Sequence, residues 1–288
     1  MSHRLLFVHA HPDDETLTCG IAMAHYVDRG DEVHVLTCTL GEEGEVIPAE
    51  LSHLEGHPED ALGPHRHDEL REALARVGAT MHVLGSSVER LSRYRDSGMA
   101  GSEAATRPEA FVRADLPEAG RLVAEVMREV RPDVVVTYDP EGGYGHPDHI
   151  QTHRVTRVAL DLLDDTELPG RVLEIVTPRS WAREDRAWLR SHVSPDSGLT
   201  LLADDDPYPP SVVPDGRVTH VVEDLAARRV KNDALRAHAT QVAVVSEDVF
   251  TLSNLVAART APREAFTRVD PRTWERLGAD RVGTSLTD

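Results

Sequence analysis

Two apolar runs, RLLFVHA at residues 4–10 and DEVHVLTCTL ending at residue 40, stand on either side of a helical pattern, and no other feature limits the fold so tightly. Between them a helical segment carries apolar positions at Leu17, Ile21, Ala24, Tyr26 and Val27, and Gly30 stops it. A strand, a crossover helix and a second strand form a βαβ unit, whose two strands run parallel. The rhythm continues with a helix in HDELREALARVG ending at Gly78, a strand in MHVLG, a helix in AGRLVAEVMREV and a strand in PDVVVTYDP. This alternation predicts an α/β fold with a doubly wound, mostly parallel sheet.

From about Pro169 the rhythm weakens. A strand in VLEIVTP is followed by a loop-rich stretch over 194–217 that contains DDDPYPPSVVPDG, and then by a helix over 222–239. The sequence therefore predicts a core over residues 1–168 and a smaller C-terminal portion over 169–288. That portion packs on the core and completes its pocket, either as a second unit or as part of one continuous domain. The proline-rich stretch is either a boundary or a lid. Residues after about 255 carry no assignment.

Composition removes several classes of function. Acids outnumber bases 50 to 31, and the resulting charge of −19 repels nucleic-acid phosphates and anionic lipid. Neither nucleic acid nor a membrane is expected as a partner. The apolar stretch in MSHRLLFVHAHPDDE is too short for a signal peptide or a membrane span. Cys19 and Cys38, the two cysteines, are too few for a disulfide framework and are expected in the core, which points to a reducing cytoplasm. Lys231 is the sole lysine, so covalent lysine chemistry has one position available to it.

Both strongly polar strand ends carry the tripeptide His-Pro-Asp: AHPDDE at residues 10–15 and TYDPEGGYGHPDHIQTH at 137–153. In an open parallel sheet, ligands bind beyond the carboxyl ends of the strands, where these turns lie. Pro12 and Pro147 suit the turn into a helix, and Gly142, Gly143 and Gly145 let the backbone pass close to a ligand. No glycine-rich dinucleotide fingerprint follows the first strand. Two imidazoles and one carboxylate form a common catalytic set for a divalent transition metal. His11 and Asp14, three residues apart across the first turn, converge on one ion, and His149 reaches it from the second. Asp13 then sits beside the ion, placed to take a proton from water. Glu15 favours the helix N-terminus through the macrodipole. An ordinary packing role suits His9, and His149 with His153 offers an alternative helical metal pair.

The chain resembles the metal-dependent N-acetylglucosaminyl deacetylases of the LmbE-like and PIG-L type in AHPDDE and, about 135 residues later, HPDH. The stretches LLFVHAHPDDE, TCTLGEEGEVI, YRDSGMAG, VVVTYDPEGGYGHPDH and HATQV resemble most closely the branch of that family that serves mycothiol biosynthesis, and they run from residue 4 to about 242. The resemblance implies a Rossmann-like fold, one catalytic Zn2+ per subunit with Fe2+ as a substitute, and hydrolysis of the acetamide of N-acetyl-glucosaminyl-inositol to glucosaminyl-inositol and acetate. Carried over residue by residue, it makes His11, Asp14 and His149 metal ligands and Asp13 the general base. It places Tyr144, His146 and Asp148 around the tetrahedral oxyanion, with the aspartate modulating the histidine. Arg66, Asp96 and Glu45 match positions associated with substrate hydroxyls or pocket shape. The polar segments 41–66 and 86–115 follow the second and third strands and are expected to overhang the site and hold a polyhydroxylated small molecule by hydrogen bonds.

Three other readings compete. A related amidase of mycothiol S-conjugates shares both metal motifs but carries a lysine after the first, where this chain has TLTCG at residues 16–20. A metal-dependent sugar-binding protein has no use for Asp13. A non-haem iron oxygenase uses the same two histidines and one carboxylate, but a doubly wound parallel sheet is an unexpected host for it.

Overall fold

A computed structural model describes residues 2–57, 60–278 and 281–287. Residues 58 and 59 of the segment 41–66, and 279, 280 and 288 of the C-terminal portion, lie outside them. Eleven strands occur among the described residues: β1 Arg4–His9, β2 Glu32–Thr37, β3 Thr80–Val83, β4 Val134–Tyr138, β5 Arg171–Pro178, β6 Val212–Val213, β7 His220–Glu223, β8 Ala243–Val244, β9 Val249–Thr251, β10 Ala258–Arg259 and β11 Arg263–Val269. The helices are α1 Asp14–Asp28, α2 Leu62–Val77, α3 Leu116–Val130, the short α4 Gly142–Gly145, α5 Pro147–Asp161, α6 Arg179–His192 and α7 Ala227–Ala237.

The main sheet has the order β3-β2-β1-β4-β5-β11-β7, with β6 added against β5. From β3 to β5 every neighbouring pair is parallel, and β11 runs antiparallel to both β5 and β7. The chain order reverses at β1 and β4, which pair directly, so the crevice expected of such a sheet opens at their carboxyl ends. Both His-Pro-Asp turns follow those two strands. β8, β9 and β10 form a small separate antiparallel sheet.

Side chains alternate between two cores because the central strands are covered on both faces. Leu5, Phe7, Val33 and Val35 face Ile21 of α1, Leu70 of α2 and Ala234 of α7. Leu6, Val8 and Leu36 face Val123 of α3 and Val155 of α5. Cys19 and Cys38 are unpaired and buried within these cores, as expected. Gly78 ends α2 at φ +89°, and Gly30 follows α1 at φ +85°, the left-handed conformations their positions require.

Residues beyond 168 continue the sheet. Phe266 of β11 and Val222 of β7 join the same core as Phe7, and Leu286 closes it. The helix expected over 222–239 is shorter: His220–Glu223 forms β7 against β11, and α7 starts at Ala227. Strand pairing set by distant residues overrides the local helical pattern there. α6 over 179–192 and β11 over 263–269 were not anticipated.

Apart from the two-residue β6, the stretch 194–217 lies outside the sheets and the α-helices, and it is anchored. Arg186 of α6 donates to the carbonyls of Ala203, Asp206 and Pro207 and lies 3.7 Å over the Tyr208 ring. Ser211 N–H donates to the Gly143 carbonyl, tying this stretch to the second polar turn.

Candidate active site

The two turns bring three ligand atoms together at the ends of β1 and β4. Asp14 Oδ2 lies 3.2 Å from His11 Nδ1 and 3.2 Å from His149 Nε2. The two nitrogens are 3.3 Å apart. A nearly equilateral triangle with such edges is what three ligands about 2.1 Å from one transition-metal ion present. All three side chains are buried, with exposures of 7% for His11, 7% for Asp14 and 2% for His149. The donor set therefore fits a single divalent cation. His146 extends the cluster as a third imidazole within ligand range of His11 and His149.

Each imidazole is fixed in the tautomer this requires. His149 Nδ1 lies 3.2 Å from the Gly142 carbonyl, which accepts its proton and leaves Nε2 bare. Gly142 has φ +63°, and a Cβ there would stand 2.7 Å from the His149 Cβ and 2.7 Å from the Ile150 nitrogen, so glycine is required on both counts. The opposite choice holds for His11: Nε2 faces Asp148 Oδ2 at 3.3 Å and Asp96 Oδ1 at 3.5 Å, leaving Nδ1 free. A carboxylate behind a ligating histidine orients the ring and raises its basicity. Tyr138 at the end of β4 stacks on His149 at 4.2 Å between centroids, and its hydroxyl accepts the Ala10 N–H.

The expected pairing of Asp148 with His146 takes a different form. The Asp148 carboxylate accepts the Ser97 N–H and serves His11. Only its backbone N–H meets His146, donating to Nδ1 at 3.1 Å as an N-cap contact of α5. His146 Nδ1 is thus an acceptor and its proton sits on Nε2. Burial, followed by His11 and His149, lowers its pKa to about 3, so the ring is neutral. The Tyr144 ring lies 5.0 Å from His149 and 6.0 Å from His146, at the exposed rim.

Asp13 is half-buried beside the triangle. Burial raises its carboxyl well above the usual range, and Asp14 and Glu15 add to the effect. Burial acts the same way on Asp14, yet His149 and His11 overcome it and hold that carboxyl well below its usual range. Burial opposes protonation of His11, but Asp96, Asp14 and Asp148 raise its pKa well above normal. The site thus gathers negative charge around a position where positive charge is stabilised. Asp13 has φ +102° and ψ −35°, a conformation that costs a residue with a Cβ about 1–3 kcal/mol.

The remaining expected residues divide. Asp96 is buried behind His11 and accepts the Glu43 and Gly98 N–H groups, while its own N–H donates to Glu42. Arg66 is 3% exposed and braces the loop at 41–45, donating to the Gly41 and Glu45 carbonyls and to Thr240 Oγ1. The Glu45 side chain is exposed, and the contact it makes with Arg66 is through its backbone. His153 donates to the Tyr138 carbonyl and packs on Trp274, away from the triangle, so the alternative helical metal pair does not form. His9 is fully buried beside the Tyr138 hydroxyl, the packing role expected of it.

A cavity of about 320 Å3 opens against Asp14, Tyr144 and His149, and its far wall includes Trp181, Arg259 and Arg263. A second, polar cavity of about 500 Å3 lies between the loops at 41–57 and 95–109, with Glu42, Glu43, Arg95 and Arg107 in its wall. Tyr138, Trp181 and the two arginines escaped sequence reasoning. Tyr138 closes a strand that ends in a polar turn, and that was its only local signal; the others lie far along the chain with none.

Residues 6–160 match the family described as PIG-L, GlcNAc-PI de-N-acetylase. The chain is 46% identical over 276 residues to the 1D-myo-inositol 2-acetamido-2-deoxy-alpha-D-glucopyranoside deacetylase of Thermomonospora curvata, covering 93% of this chain and 90% of that relative. Among solved structures it is similar to the N,N'-diacetylchitobiose deacetylase from Pyrococcus horikoshii, with TM-score 0.50, 18% identity, and coverage of 83% of this chain and 70% of the other. The 4-carboxy-2-hydroxymuconate hydratase of Pseudomonas putida KT2440 is similar with TM-score 0.53, 19% identity, and coverage of 96% and 100%. At such identities the two structures share the fold, and a hydratase on the same scaffold means that the fold alone leaves the reaction open.

Proposed function

The chain belongs to the PIG-L family of GlcNAc-PI de-N-acetylases, and on that premise we propose that it hydrolyses the acetamide of N-acetyl-glucosaminyl-inositol, giving glucosaminyl-inositol and acetate, in mycothiol biosynthesis. It is an amidohydrolase. The observation that carries this reading is the convergence of His11 Nδ1, Asp14 Oδ2 and His149 Nε2, with edges of 3.2–3.3 Å, in the wall of a cavity at the sheet's reversal point.

We assign Zn2+ to these three residues; Fe2+ satisfies the same donors. When bound, the cation would polarise the acetyl carbonyl and favour deprotonation of water near neutral pH. Asp13 takes the proton of the attacking water and returns it to the nitrogen as the carbon–nitrogen bond breaks. His146 donates its Nε2 proton as a hydrogen bond to the oxygen on which charge develops, and Tyr144 adds its hydroxyl from the rim. The neutral state of His146 supports hydrogen-bond donation in preference to proton delivery. Asp148 and Asp96 hold His11 in place, and Arg66 shapes the loop beside Asp13.

The polar loops at 41–57 and 95–109 support a polyhydroxylated small molecule as substrate. Among the described residues no helix is long and apolar enough to cross a membrane. The unpaired Cys19 and Cys38 support a cytoplasmic location.

Specific activity on N-acetyl-glucosaminyl-inositol compared with a mycothiol S-conjugate tests the substrate assignment. Faster amine release from the acetylated sugar is expected. A faster rate on the conjugate reverses the assignment to the amidase.

A further inference from the structure

One buried pair touches the site without a role in the reaction described above. Glu15, the last acid of AHPDDE, is fully buried, which the macrodipole reading of the sequence did not anticipate. Its carboxylate is divided between two duties. Oε2 accepts the Asp13 N–H at 3.1 Å, whereas Oε1 lies 2.9 Å from His238 Nε2 and also accepts the Thr16 hydroxyl. His238 is fully buried as well, directly after α7. Its other nitrogen, Nδ1, is buried with no hydrogen-bond partner among the described residues. An apolar side chain would leave no such orphan, so the Nε2 contact to Glu15 accounts for a histidine at this position.

What Glu15 holds is the one peptide in the turn that needs holding. Asp13 sits at φ +102°, and relaxation to a helical φ near −63° would rotate it by about 165°. That rotation would redirect the Asp13 side chain relative to Asp14, which must stay against His11 and His149. Adjacent carboxylates with different targets require this backbone to be fixed.

We infer that Glu15 and His238 are positioning residues for the deacetylation: their hydrogen-bonded pair fixes the Asp13 peptide in its left-handed conformation and so aims the Asp13 carboxylate at the attacking water. The inference rests on the reading of Asp13 as the general base. α7 thereby reaches the reaction through a chain of two hydrogen bonds, His238 to Glu15 and Glu15 to the Asp13 N–H.

The test compares His238→Gln, which keeps a donor able to reach Glu15, with His238→Leu, which fills the space without one. His238→Asn is polar but too short to reach, and it stands in for leucine if that variant does not fold. Steady-state amine release from N-acetyl-glucosaminyl-inositol is measured with zinc-loaded protein below the melting temperature of every variant. The leucine and asparagine variants are expected to lose about 10- to 100-fold in kcat with KM and bound zinc unchanged, because small misplacements of a reacting group have effects of that size. His238→Gln is expected within about threefold of wild type. In a crystal structure of the leucine or asparagine variant, Asp13 is expected to leave positive φ. Wild-type kcat in the leucine and asparagine variants, or equal losses in all three, overturns the inference. Asp13→Asn in the same series separates the two readings: if it is inactive while His238→Leu runs at full rate, only the positioning role fails, whereas an active Asp13→Asn removes Asp13 as the base.

Discussion

Which nitrogen of each imidazole is left bare decides whether this site can hold a cation. The Gly142 carbonyl settles it for His149, and Asp148 with Asp96 settles it for His11. Removing a ligand and removing the base should therefore have separable effects. His11→Ala is expected to lose bound zinc, while Asp13→Asn keeps zinc at one per chain and loses about 10²- to 10⁴-fold in turnover. Metal analysis and turnover on the same preparations check both, and an active Asp13→Asn protein contradicts the assignment. His11, Asp14 and His149 were legible because two like turns end two strands of a predicted parallel sheet. The service of Asp148 to His11 was not, since a hydrogen bond across 137 residues leaves no mark on local spacing. Arg66 was assigned to substrate hydroxyls or to pocket shape, and three of its donors go to loop carbonyls and Thr240.

Helix α1 carries the ligand turn at one end and an ion pair in its middle. Glu264 of β11 accepts the N–H groups of Ile21 and Ala22, and Lys231 of α7 donates to the Leu17 carbonyl and to Glu264. Both side chains are about 6% exposed. Gly20 makes room, since a Cβ there would stand 2.8 Å from Lys231 Cγ. Lys231→Met leaves a buried carboxylate without its cation and is expected to lower stability by about 3–5 kcal/mol. Urea unfolding measures it, and an unchanged midpoint contradicts the role given to the pair. The elements around this helix were legible from periodicity as far as β5. α6 was missed because Arg186 and Leu189 are its only buried residues, too few to mark an apolar stripe. β7 and β11 were missed because their strand character comes from pairing with each other and with β5.

The whole molecule is organised by one sheet whose C-terminal strands pair onto the edge that β5 would otherwise expose. Glu174 stands inside that sheet, with Thr137 of β4 and Thr267 of β11 on either side. Burial raises its pKa from 4.5 to about 7, against the pull of Arg276. The native state therefore holds this proton more tightly than the unfolded chain does. The stabilisation is complete below about pH 4.5 and disappears as the pH rises through about 7. Glu174→Gln is expected to melt increasingly above wild type as pH rises from about 5 to 8, and a difference that stays constant across that range contradicts the assignment. Lys231 and Glu264, His238, and the cavity wall at Trp181 and Arg263 all come from the C-terminal portion and border a site built at β1 and β4. Metal-dependent deacetylation at this site is tested by amine release from N-acetyl-glucosaminyl-inositol with protein stripped of metal and then resupplied with zinc. No release is expected from the stripped protein, and its return is expected with zinc; full release without metal, or none with any divalent cation, would overturn the metal-dependent reaction.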